Sequence, residues 1–274
     1  MQTANKLGLW GAFSPSGIGK LLLQARKLGF ARGPIKKLLG KAWLILGLKS
    51  PVDINYAGVK FRIFPWDNTV EFKMLFGSKQ RDLPELKKLQ EFVEKGGIFL
   101  DIGANIGYYS LMAAKFGASH ILAFEPNPKV FSRLRFNIEA NNLQHCVKAL
   151  PIALGEHVET TTMYVSERDM GGSHIGDHGD SSGTPISVQM KPLLSVLQDE
   201  QINRVDALKI DVEGMEDLVL FPFFETSPKV LWPRLVIMEF TSQQFWTRDI
   251  LSWLLSSGYR EIERNRSNVM LSLD

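Results

Sequence analysis

The segment Asp101-Ile-Gly-Ala-Asn-Ile-Gly-Tyr-Tyr-Ser110 closes an apolar run with an acid and then sets two glycines four residues apart. Gly97-Ile-Phe-Leu100 before it is short, apolar and rich in strand formers, while Ile106 to Lys115 spaces its apolar residues as a helix does. The glycines therefore fall on a strand-to-helix loop, the place where open α/β sheets bind ligands.

A dinucleotide fingerprint needs a further glycine between these two, so that the backbone can approach a pyrophosphate. Asn105 fills that place. A loop with Gly103 and Gly107 but a side chain between them suits a nucleoside cofactor without phosphates, of which S-adenosylmethionine is the common one. Asp101 is placed to face such a cofactor's ammonium. Ile121-Leu-Ala-Phe-Glu-Pro-Asn-Pro128 reads as a second apolar strand ending in Glu125, an acid suited to accept hydrogen bonds from both ribose hydroxyls. Asn127 and Pro128 fit the cap and first position of the next helix.

A third segment, Leu208-Lys-Ile-Asp-Val-Glu-Gly-Met-Glu216, follows a strand-like run and precedes a helical one. Period-two alternation puts Lys209 and Asp211 on one face of that strand's end, beside the cofactor crevice. A buried strand has no structural need for a lysine and two acids. Phe99 to Ser110, Phe124-Glu-Pro126, Ala153-Leu-Gly155, Gly171-Gly-Ser173 and Leu208 to Gly214 with Glu216 together resemble the FkbM-type methyltransferase family, a branch of the S-adenosylmethionine-dependent methyltransferases. The resemblance covers about residues 50–274.

It implies an α/β fold: a Rossmann-like seven-stranded methyltransferase sheet, mostly parallel with an antiparallel terminal strand. Joined to the motif reading, it implies cofactor contacts from Asp101, Gly103, Ala104, Asn105, Gly107, Tyr108, Glu125, Pro126, Asn127, Ala153 and Asp211. It also implies O-methylation of a hydroxyl on a sugar, glycolipid, polysaccharide or polyketide-like acceptor. An alcohol does not ionise at neutral pH, so the chemistry calls for a base. Asp211 is the first choice, as base or as cation ligand. Glu239, ending Leu235-Val-Ile-Met-Glu-Phe240, is its expected neighbour, and the two acids are the candidate ligands for a divalent ion; Lys209 is placed to pair with either. Two rivals stay open at this point. One is a nicotinamide oxidoreductase, disfavoured by the missing middle glycine and the lack of a Tyr-x3-Lys dyad; the other is a membrane-associated module that binds the cofactor without turnover.

Composition constrains the setting. With 274 residues, 45% of them hydrophobic, the chain can bury one sizeable core. A single cysteine, Cys146, leaves no intramolecular disulfide and points to a reducing, cytoplasmic compartment. No apolar run approaches a spanning helix, and no nucleic-acid-binding pattern stands out. Nine of the 32 Lys and Arg fall in residues 1–52, which hold none of the 29 acids. In Pro34 to Leu46, Ile35, Leu38, Leu39 and Ala42 recur at helical spacing with Lys36, Lys37 and Lys41 between them and Trp43 beyond. That pattern suits either a helix on an anionic membrane surface, with Trp43 at the interface, or a packing helix over the core.

The expected organisation is a basic helical extension over 1–50, a hairpin and helix over 51–97, and the methyltransferase domain over 98–274. The hairpin turns at Ala57-Gly58, and the helix starts with Asp82 and Glu85 as a capping box. Strands or helices are expected at 106–117, 119–124, 128–140, 145–150, 160–165, 185–190, 205–211, 215–221, 234–240 and 246–257, with a closing hairpin over 259–272. The glycine-rich loop 166–183 reads as a mobile lid over the acceptor, with His174 facing it. His174 and His178, spaced H-x3-H, with Asp169, Asp177 and Asp180 give a weaker metal reading.

Overall fold

A computed structural model describes residues 8–25, 34–46, 51–77, 80–166, 169–175 and 183–273. Helices α1 (Gly17–Ala25) and α2 (Pro34–Ile45) precede a hairpin of β1 (Val52–Tyr56) and β2 (Val59–Ile63), and α3 (Thr69–Phe76) and α4 (Leu83–Val93) lead onward. Strand and helix then alternate as β3 (Ile98–Ile102), α5 (Tyr108–Phe116), β4 (His120–Phe124), α6 (Pro128–Ala140) and β5 (Val147–Leu150). Four strands follow outside that alternation: β6 (Ala153–Leu154), β7 (Glu159–Val165), β8 (His174–Ile175) and β9 (Thr184–Lys191). The chain resumes with α7 (Leu193–Asp199), β10 (Ala207–Ile210), α8 (Glu216–Thr226), β11 (Leu235–Glu239), α9 (Ile250–Ser256), β12 (Arg260–Arg264) and β13 (Asn268–Ser272).

The main sheet has seven strands in the order β12-β13-β11-β10-β3-β4-β5. Strands β5, β4, β3, β10 and β11 run parallel, and β13 is antiparallel to both its neighbours. This is the expected Rossmann-like methyltransferase sheet. The winding reverses between β3 and β10, which opens a crevice at their carboxyl ends.

Parallel strands covered on both faces read as continuous apolar runs, and these do. Phe99, Ile121, Ala207 and Ile237 face α4 and α5, packing with Leu86, Leu89 and Leu111. Leu100, Leu122, Leu208 and Val236 face the other way, toward Val196, Val219 and Leu254. Each of these Val, Leu, Ile and Phe side chains contributes about 1.5–3 kcal/mol by burial. Asp101 and Lys209 break the pattern: they sit opposite each other in the β3–β10 register and both are buried.

Strands β1 and β2 form the expected hairpin and extend the first core, with Phe61 and Ile63 fully buried. Arg62 between them is buried too. Its Nε and Nη2 donate to Asp53 at 2.7 and 2.9 Å, and its plane lies over the rings of Phe13 and Phe136. The side-chain oxygen of Asn137 accepts the Arg62 N–H at 2.8 Å, which ties the hairpin to α6.

Several expectations need correction. Asp82 does precede α4, but its backbone is left-handed (φ 49) and its side chain caps nothing; Glu85 is buried and accepts from Asn265 and Asn268, 180 or more residues away. The capping residue lies earlier, at Asn68, whose Oδ1 accepts from Val70 and Glu71 at the start of α3, a helix the sequence reading did not anticipate. Strands β7 and β9 pair antiparallel in a separate sheet ordered β6-β9-β7-β8. The helix expected at 246–257 is shorter, Ile250–Ser256, preceded by one 3-10 turn. Trp43 is 2% exposed and meets Phe76 edge-on at 5.8 Å, so it belongs to the core and not to an interface. Among the described residues no helix is long and apolar enough to cross a membrane.

Candidate active site

A cavity of about 320 Å³ opens at the carboxyl ends of β3, β4, β10 and β11. Its floor is the loop after β3. The N–H groups of Gly103 and Ala104 donate to the Phe124 carbonyl at 3.1 and 2.8 Å, binding the ends of β3 and β4 together. Gly103 has φ +77, and a Cβ there would stand 2.0 Å from the Asp211 carbonyl oxygen, so only glycine fits. Gly107, at φ +89, is hemmed in by Leu134 and Leu111 and does not line the cavity: it serves packing at the start of α5.

Asn105 is left-handed, and its N–H donates to Glu125 Oε2 at 3.0 Å. The other oxygen of Glu125 accepts the Asn127 N–H at 2.8 Å. The carboxyl is thereby fixed with further lone pairs available, and burial pushes its pKa up to about 7. Pro126 and Ala153 line the cavity; Asn127 does not, and its side chain instead caps α6 through the Lys129 N–H. Asp101 lines it as well, but its Oδ2 accepts from both the N–H and the hydroxyl of Ser110, at 2.9 and 2.5 Å. Part of the acid expected to face an ammonium is thus committed to the first turns of α5.

The opposite wall is acidic. Lys209, buried over the ring of Tyr109, holds Asp211 Oδ2 at 3.0 Å. Burial disfavours its charge, yet Asp211 and Asp101 raise its pKa. Asp211, Glu213 and Glu239 all line the cavity. Glu213 is left-handed (φ 56), and burial with the nearby charges of Asp211 and Glu239 pushes its pKa up to about 8. Glu239 accepts the N–H and hydroxyl of Thr241 through Oε1. Its Oε2 is buried without a partner among the described residues, and burial plus Asp211 raises its pKa to about 7. Glu216 does not line the cavity: it accepts from Val212, Gly214 and Trp246 and so fixes the turn that presents Glu213.

A third wall comes from outside the strand ends. Asn68 donates to Asn105 Oδ1 at 2.9 Å, and Asp169 Oδ1 accepts from Thr69 and Gly171, so the start of α3 and segment 169–172 close over the loop after β3. Arg133 on α6 anchors this cover by pairing with Asp67 at 2.7 Å and the fully buried Glu71 at 2.6 Å. His174 is placed by its backbone in β8, opposite Tyr164; its side chain, like His178, Asp177 and Asp180, lies outside the described residues. Among the described residues no three His, Cys, Asp or Glu side chains are grouped to hold a metal ion.

Sequence reading missed Arg81 and gave Glu213 no task of its own. Arg81 lines the cavity, and its Nε and Nη1 are buried without a partner among the described residues. Neither residue sits in a periodic pattern. What betrays Glu213 is its place between Asp211 and Gly214, in a loop too short to turn every acid toward solvent.

The methyltransferase FkbM domain model matches residues 101–261. Methyltransferase sdnD of Sordaria araneosa is 31% identical over 150 residues, 44% of this chain and 58% of that protein. Methyltransferase 1 of Beauveria bassiana is 29% identical over 140 residues, 44% of this chain and 56% of that protein. The chain thus spans a little over half the length of these curated relatives. A solved O-methyltransferase from Bacillus cereus in complex with SAH aligns with a TM-score of 0.44 at 15% identity, over 70% of this chain and 82% of that one. With the family model covering more than half of its residues, the chain belongs to the FkbM-domain methyltransferases, whose methyl donor is S-adenosylmethionine.

Proposed function

We propose that the chain methylates a hydroxyl oxygen of a small-molecule or glycan acceptor. The observation that carries this reading is the wall of Asp211, Glu213 and Glu239, which shares one cavity with Glu125 and the β3 loop. The chain's own groups fit the donor: Glu125 offers acceptors to a ribose, and Arg81 keeps two buried donors unmet among the described residues. S-adenosylmethionine, when bound, supplies an electrophilic methyl group, and the protein has to align the acceptor and exclude water.

Asp211, fixed by Lys209 and exposed to the cavity, fits the task of accepting the acceptor's O–H and orienting it. Glu239, with its pKa raised to about 7, fits the task of taking the proton. A base positioned in this way contributes about 10²–10⁴-fold. Lys209 holds Asp211 in place. The cover formed by α3 and segment 169–172 excludes water. Mass spectrometry of metabolites and envelope glycans from cells with and without the gene tests the reading. A product that loses the mass of one CH₂ at an oxygen supports it; loss at nitrogen or carbon overturns it.

A second reading concerns α1 and α2. Ile18, Leu21, Leu38 and Ile45 are exposed beside the exposed Lys20 and Lys41, which favours peripheral contact with an anionic membrane. Flotation of the full chain with vesicles of anionic lipid, compared with neutral ones, tests it. Equal flotation with both, or none, removes the reading.

A further inference from the structure

Arg81 carries guanidinium donors that no group among the described residues meets. Its backbone is clamped from two sides: the N–H donates to the Tyr56 hydroxyl at 3.0 Å, and the carbonyl accepts from the Tyr108 hydroxyl at 2.9 Å. The side chain is 23% exposed, and Nε and Nη1 are buried with no partner among the described residues. Its one ion-pair contact, Nη2 to Asp82 Oδ2, is 3.5 Å long, well beyond the roughly 2.7–2.9 Å of a charge-assisted hydrogen bond. A guanidinium has five N–H donors in a planar fork that matches the two oxygens of a carboxylate. Leaving such donors buried and unmet disfavours the empty site and rewards a ligand that meets them.

The surroundings select the kind of anion. Asp82 and Asp101 line the same cavity, and both act on the charge of Lys209. A guanidinium with carboxylates beside it complements an amino-acid zwitterion, in which carboxylate and ammonium share one carbon. We propose that Arg81 is the receptor for the α-carboxylate at the amino-acid end of S-adenosylmethionine, with Asp82 and Asp101 facing its ammonium. The same fork would equally accept an acidic group on the acceptor, so the experiment separates the two sources.

Titration calorimetry on the full chain uses two ligands: S-adenosylhomocysteine, and 5′-methylthioadenosine, which keeps the nucleoside and thioether but lacks the amino acid. Arg81→Met should weaken S-adenosylhomocysteine by about ten- to a hundredfold and leave 5′-methylthioadenosine within about threefold of wild type. Arg81→Lys, which keeps the charge and loses the fork, should fall between, and this variant carries the test if Arg81→Met fails to fold. S-adenosylhomocysteine affinity unchanged in the variants would hand the anion to the acceptor and overturn the assignment. Equal weakening of both ligands would overturn it too, because the effect would then lie in the nucleoside site. Wild-type protein that binds neither ligand would sink the cofactor assignment itself, a failure visible before any variant is made.

Discussion

The ammonium of Lys209 lies 3.0 Å from Oδ2 of Asp211, and the two side chains differ sharply in exposure, 6% against 37%. The lysine is a buried support and the acid it holds is reachable from the cavity. Asp211→Asn keeps the shape and removes the charge, so turnover should drop by about 100-fold or more with cofactor affinity nearly retained. Single-turnover kinetics beside calorimetry checks this. Near-normal turnover would remove Asp211 from the acceptor's contacts.

Glu239 gives a pH signature with two opposite signs. Burial raises its pKa from 4.5 to about 7 in the folded protein. Its contribution to stability is therefore fully present below pH 4.5 and is lost as the pH rises through about 7. Activity runs the other way, because a base must be ionised, and should climb through the same range. Glu239→Gln should lessen the fall in melting temperature across this window, where Glu125 and Glu213 still titrate, and abolish the acidic limb of the rate profile. A variant that keeps the limb would pass the proton to Glu213.

Glu125 holds the backbone of Asn105 and Asn127 and retains further lone pairs. Glu125→Ala should cost S-adenosylhomocysteine about 1.5–3 kcal/mol of binding. Affinity unchanged within about threefold would exclude a ribose contact.

Much of the fold is readable because its signals are local. The alternation that marks β3, β4, β10 and β11, the turn at Ala57-Gly58, and the Asn127-Pro128 helix start all depend on neighbours within a few residues. The cover over the cavity is different. Asp67 and Glu71 meet Arg133 from more than sixty residues away, and Glu85 meets Asn268 from 183. An acid in such a pair looks in sequence like an ordinary capping or surface residue. Trp43 misleads for the same reason: the lysine-rich helix shows its exposed face in the pattern, while the partner of its other face, Phe76, lies in a helix with no strong pattern of its own.

Arg133 is the keystone of that cover. Arg133→Met would leave Glu71 buried without its cation, and breaking a buried pair of this kind costs about 3–5 kcal/mol. Urea denaturation should show the loss, and proteolysis should cut sooner near segment 169–172. A stability change below about 1 kcal/mol would mean the pair is exposed and weak in solution.

The contact between Gly103 and the Asp211 carbonyl bears on how such an enzyme can be altered. Any side chain at position 103 would drive into the backbone of Asp211, and the Asp211 N–H is bound to the Ile102 carbonyl at 3.1 Å. The loop after β3 and the strand end that carries the acid are one mechanical part. A change meant to improve either will be felt by the other, so laboratory evolution aimed at new acceptors has little freedom there. Segment 169–172 meets the loop through the side chain of Asn105, and a side chain can turn aside where a backbone cannot. A substitution in that segment can therefore be absorbed without moving the loop's backbone.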